Sequence, residues 1–130
     1  MALSFAMTTI VIDDYDRAIA HYVGELGFTL LEDTTLNPEK RWVVVAPGIN
    51  GGKILLAKAH GEAQIAAIGN STGGRVAFFL HTNNFDETYK RYLERGVEFT
   101  ETPRHESFGK VVVFKDRYGN KWDLIESSEI

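Results

Sequence analysis

The stretch Asp13-Asp14-Tyr15-Asp16-Arg17-Ala18-Ile19-Ala20-His21-Tyr22, running on to Leu26-Gly27-Phe28, decides how this chain is read, because a second stretch repeats its design. Tyr15, Ala18, Ile19, Tyr22, Val23 and Leu26 recur at the spacing that lines one face of a helix. Asp14 is placed to cap the start of that helix, and Gly27 to end it. A shift of 70 positions lays Asp13-Asp14-Tyr15-Asp16 on Asn83-Asn84-Phe85-Asp86, and Tyr22 on Tyr92. There Asn84, with Glu87 three residues on, approximates a capping box. Phe85, Thr88, Tyr89, Tyr92 and Leu93 form one side of this second helix, and Gly96 stops it.

Around the helices, β-branched and aromatic runs predict strands at 4–12, 28–34, 41–46, 53–58, 76–82, 97–100, 110–115 and 121–125. Asn50-Gly51-Gly52 separates the third and fourth runs and Tyr118-Gly119-Asn120 the last two, each suited to a tight antiparallel reversal. The order is β-α-β-β-β, stated twice. Module one covers 1–59 and module two 75–130. The glycine-punctuated segment 60–74 connects them, with a short helix expected around 63–68. Its run Gly69-Asn70-Ser71-Thr72-Gly73-Gly74 lacks the Gly-Lys-Ser/Thr ending of a phosphate cradle.

Length and composition bound the rest. With 130 residues, 44% hydrophobic and 25% charged, the chain has room for one globular domain with its own core. The absence of cysteine excludes disulfides, thiolate metal sites and a cysteine nucleophile, and it fits a reducing compartment; the cytoplasm is the expected location. The apolar beginning has no basic leader, meets Asp13-Asp14 early and is too short to span a bilayer, so no membrane role is expected. A net charge of −4 disfavours nucleic-acid binding, which needs clustered Lys and Arg.

The duplicated unit, the phrase around Asp14 to Phe28, and a last hairpin reading Phe114-Lys115-Asp116-Arg117-Tyr118-Gly119-Asn120-Lys121-Trp122-Asp123-Leu124-Ile125-Glu126 together resemble the vicinal-oxygen-chelate (glyoxalase / bleomycin-resistance / dioxygenase) superfamily over nearly the whole chain. Arg117 departs from the proline that many members carry there. The resemblance implies an α+β fold of tandem β-α-β-β-β modules, each curling four strands into half of an open barrel around a cleft, with helices on the convex side. It also implies a homodimer.

Metal-dependent members take His, Glu or Gln ligands from the first and last strands of each module. The resemblance puts the first of these positions at Met7 and its repeat partner at Ala77, while the fourth strand, Lys53-Ile54-Leu55-Leu56-Ala57-Lys58, offers no suitable donor. Only Asp123 is a hard ligand, and a thioether and a methyl group do not replace imidazoles. No metal and no other cofactor is therefore expected. Of the histidines, His21 is placed on the polar flank of the first helix. His60 and His105 are placed in solvated loops, and His81 as a hydrogen-bonded imidazole near a strand end.

By alternation Phe5, Met7, Thr9 and Val11 share one strand face, and Arg75, Ala77, Phe79 and His81 share another. The expected lining of a metal-free cleft is Phe5, Met7, Thr9, Trp42, Arg75, Ala77, Phe79 and Asp123, which suits a small organic molecule. In the competing reading Trp42 and Phe79 fill the barrel and Arg75 pairs with Asp123. Three functions follow. One is sequestration of an aromatic or cationic compound. Another is a metal-independent isomerase or lyase using Asp123 or His81 as base. The third is a metal-dependent lyase or dioxygenase, which the missing ligands disfavour.

Overall fold

A computed structural model describes residues 1–130. The chain divides into two compact units, Met1–Ile68 and Gly69–Ile130, with the division inside the segment read as a connection.

The first unit runs β1 (Thr8–Ile12), α1 (Tyr15–Ile19) continued by a π-helical stretch (Ala20–Glu25), β2 (Thr29–Asn37), β3 (Lys40–Ala46), β4 (Ile54–Lys58) and the short α2 (Glu62–Ala67). Its sheet has the order β1-β4-β3-β2, with β1 parallel to β4 and the other pairs antiparallel. The Asp14 carboxylate caps α1 by accepting the Arg17 N–H at 2.9 Å. A helix this short does not persist alone in water, so its stability comes from the buried face it packs on the sheet. Tyr15, Ala18, Tyr22 and Leu26 are buried on that face with Ile10, Ile12, Val43, Val45 and Leu56. Each large side chain among them contributes about 1.5–3 kcal/mol.

The second unit runs β5 (Val76–Thr82), α3 (Phe85–Glu94), β6 (Glu98–Phe99), β7 (Arg104–Glu106), β8 (Gly109–Lys115) and β9 (Lys121–Glu126). Its sheet has the order β5-β9-β8-β6, and β7 also pairs with β8. Phe78, Phe114 and Trp122 meet in its core, with ring centroids 4.7 Å apart for Phe78–Trp122 and 5.9 Å for Phe114–Trp122. Tyr92 of α3 meets Phe114 edge-on at 5.5 Å. Only half of the capping box forms: Asn84 Oδ1 accepts the Glu87 N–H at 3.4 Å, while the Glu87 carboxylate turns to Arg91 Nε at 2.9 Å.

The β8–β9 turn is organised by one buried carboxylate. Asp116 Oδ1 accepts the backbone N–H groups of Tyr118 and Asn120, each at 3.0 Å. Its Oδ2 accepts Asn120 Nδ2 and Trp122 Nε1, also at 3.0 Å. The turn therefore closes with Arg117 where proline is usual, because the carboxylate does the work of a rigid ring. The connection docks here too: a Cβ on Gly69 would lie 1.8 Å from the Tyr118 carbonyl oxygen, so only glycine fits.

Several sequence expectations are corrected. The first strand begins at Thr8, not residue 4, because β4 begins at Ile54 and the residues before Thr8 have no strand partner; Phe5 stands 86% exposed. The expected loop around His105 contains β7, so the edge that β2 forms in the first unit is divided between β6 and β7 in the second. His21 is buried, not on a polar flank. The helix widens to i→i+5 bonding there, as in Leu26 N–H to His21 C=O at 2.9 Å. That widening rotates the face and turns the imidazole inward, where Nδ1 meets Glu25 Oε1 at 2.8 Å. Leu93 is half exposed.

Replacing Asp116 by alanine removes the acceptor that the Trp122 indole and the Asn120 amide share. Urea unfolding of Asp116→Ala is expected to show a loss on the order of 3 kcal/mol, with the slope against urea unchanged.

Candidate functional site

Each sheet has one side covered by its long helix and one side free of it. In the first unit Arg41 marks the covered side, with its guanidinium carbon 5.3 Å from the Tyr15 ring centre in α1. Alternation then puts Trp42 and Val44 on the helix-free side. Register carries that side across the sheet from Val44 to Leu55 and on to Thr9, and on the other edge from Val44 to Glu32. Trp42 is half-buried, and its Nε1 donates to Glu32 Oε2 at 3.2 Å. Met7 is half-buried just ahead of β1. Thr9 and Trp42 thus share a face as expected from alternation, and Phe5 lies outside the strand.

In the second unit Leu80, Trp122 and Leu124 are buried and Phe78 packs on Trp122, so Phe79, His81, Asp123 and Ile125 take the helix-free side. Two cross-strand rows define it. One joins Val113, Asp123 and Phe79; the other joins Arg104, Val111, Ile125 and His81. Phe79 is 65% exposed and does not fill a core. A bulge between Val76 and Phe78 inserts a residue at Ala77, so the strict alternation expected from Arg75 through His81 fails there. His81 is exposed and its imidazole makes no hydrogen bond, contrary to the expectation of a bonded imidazole, because its partner in register is the apolar Ile125. Beyond this row an open cleft of about 540 Å³ is bordered by His81, Ile125, Phe108, Glu126 and the tail residues Ser127, Ser128 and Glu129.

Asp123 is the chemically distinctive group. Burial raises its pKa above the ordinary aspartate value, Arg104 pulls it down, and Glu101 pushes it up. No ion pair or hydrogen bond engages its carboxylate. Arg75 does not pair with it; Arg75 is exposed ahead of β5, and its carbonyl accepts the Thr72 hydroxyl at 2.7 Å. The cation of this side is Arg104, which lies in the segment expected to be a loop around His105, because the three residues of β7 have no hydrophobic pattern to reveal a strand. The signal present was alternation: Arg104 and Glu106, two apart, with Glu101 three before.

A divalent ion does not fit the donor set. Met7 and Ala77 occupy the positions where the resemblance requires ligands, and nowhere in the chain do three His, Cys, Asp or Glu side chains group to hold a metal.

Two β-α-β-β-β units with open, curved sheets define the class. The chain matches the model of the Glyoxalase/Bleomycin resistance protein/Dioxygenase superfamily over residues 4–124, and it belongs to that family. An uncharacterized protein of Shewanella frigidimarina is 44% identical over 99% of this chain and 97% of its own length. The crystal structure of UcmS2 is 31% identical with a TM-score of 0.83, covering 98% of this chain and all (100%) of that one. TnmS3, described as an antibiotic binding protein from Streptomyces sp. CB03234, is 27% identical with a TM-score of 0.76, covering 98% of this chain and 99% of that one. Family and neighbours fit a small-molecule-binding protein. No helix is long and apolar enough to cross a membrane.

The raised Asp123 pKa has a stability consequence. Its carboxylate is costlier to hold folded than unfolded, so the penalty is fully present above the raised folded pKa and gone below the ordinary unfolded one. Asp123→Asn is expected to melt higher than the parent at pH 7. The gap should narrow as pH falls through the folded pKa; a gap that widens in acid reverses the sign.

Proposed function

We propose that the chain binds and sequesters a small aromatic or cationic organic molecule without a metal ion. The observation that carries this is the exposed Phe79 ring beside the unengaged, half-buried Asp123 carboxylate. An aromatic surface gives contact area, and a desolvated acceptor gives orientation. Trp42 supplies aromatic surface and Thr9 a hydroxyl on the helix-free side of the first unit, while Phe5 and Met7 ahead of β1, Arg75 ahead of β5 and Ala77 at the β5 bulge are further candidate contacts. The likeness to TnmS3 supports this reading, since that protein is an antibiotic binder. Thermal shift across a panel of aromatic antibiotics is expected to reveal at least one compound that raises the melting temperature in proportion to the logarithm of its concentration. Phe79→Ala should lose that shift while melting normally alone. A panel without a stabilising member counts against the reading.

A second reading is a metal-independent isomerase or lyase with Asp123 or His81 as base. The raised proton affinity of Asp123 favours it, since a carboxyl moved toward neutrality is a better general base. Turnover of a bound compound abolished in Asp123→Asn would establish it. The reading also includes a cytoplasmic homodimer. Light scattering is expected to return twice the chain mass, and a monomer mass removes the dimer.

A further inference from the structure

Arg104 stands within electrostatic reach of Asp123 yet is committed elsewhere. Its Nε donates to Glu101 Oε1 at 3.0 Å and its Nη1 to Glu106 Oε1 at 2.7 Å. Glu101 is itself anchored, because its Oε2 accepts the N–H of Val113 at 3.0 Å, and Val113 is the cross-strand partner of Asp123. Two carboxylates therefore hold the guanidinium on its own segment. Arg104 is the cation that lowers the Asp123 pKa, and it is already matched by two carboxylates of its own. Asp123 keeps an open acceptor next to the Phe79 ring, its other partner in register. An anionic group arriving here meets a carboxylate whose neighbouring guanidinium is already matched, while a cationic N–H donor meets a desolvated carboxylate, the stronger kind of hydrogen bond.

We propose that the Glu101–Arg104–Glu106 clamp keeps Asp123 unpaired, so that this face selects flat aromatic compounds carrying a protonated amine or amidine. The ring stacks on Phe79 and the cationic nitrogen donates to Asp123. This rests on the small-molecule-binding reading above and adds the ligand class to it. Arg104 is a positioning residue: what matters is that it is withheld from Asp123.

The test uses two probes of equal shape, 2-naphthylmethylammonium and 2-naphthylmethanol, titrated into the full-length ¹⁵N-labelled chain and followed at the amides of Phe79, Val113 and Asp123. The ammonium is expected to bind about tenfold tighter than the alcohol. Asp123→Asn should erase that preference. Glu106→Ala loosens the clamp and lets Arg104 reach Asp123, so ammonium affinity should fall about tenfold with the alcohol unchanged. Arg104→Gln removes the competing cation, so ammonium affinity should rise about threefold. A contact that merely supports the fold moves both variants in the same direction and both probes together, and that result overturns the clamp. Equal affinity of the two probes for the parent overturns the selection of a cation but leaves small-molecule binding standing. Absence of any shift at these amides with either probe overturns both.

Discussion

The buried carboxylate of Asp116 is the constraint on which the second unit depends. It gathers two backbone N–H groups of its own turn, the Asn120 amide and the Trp122 indole N–H around one charge. Such a group is tolerated inside a protein only when its lone pairs are engaged, so the turn has one way to close. Closing it pins Phe114 opposite Trp122 and Val113 opposite Asp123. Since a slip of one residue moves every side chain to the other face, this turn keeps Trp122 in the core and Asp123 out of it. The aromatic stack of Phe78, Trp122 and Phe114 then follows from register.

The helix-free side of the second unit has a different electrostatic logic. Its one guanidinium is matched within its own segment, and its half-buried carboxylate is left without a partner beside an exposed ring. A fold that needed only stability would pair or remove such a carboxylate, because desolvating it costs free energy. An unpaired acceptor next to aromatic surface is useful when a ligand supplies the missing donor. The positions that the resemblance assigns to metal ligands carry a thioether in Met7 and a methyl group in Ala77.

Short-range features of this fold are legible in the sequence. The helix phrase at Asp14 and its repeat at Asn84, the Asp14 and Asn84 caps, and the glycine stops all express short-range rules of spacing and backbone conformation, and they locate α1 and α3. The strand runs are right in number for the first unit and one short for the second, where β7 has three residues and no hydrophobic pattern of its own. The failures share a cause. His21 is buried because one helical stretch widens, Ala77 leaves the alternation because one strand bulges, and Phe5 is stranded because its neighbour β4 starts late.

From the sequence alone come the duplicated β-α-β-β-β order, the family resemblance and the identity of the residues at its metal positions, because each depends on residue type and on spacing along the chain. Only the tertiary structure decides that Arg104 rather than Arg75 stands by Asp123, that Phe79 flanks it, and that the His81 imidazole does not hydrogen-bond. Those neighbours meet across strands far apart in sequence. Their pairing is set by turn closure at Asp116 and by the single inserted residue in β5, and neither effect leaves a mark on the local pattern of the residues it brings together.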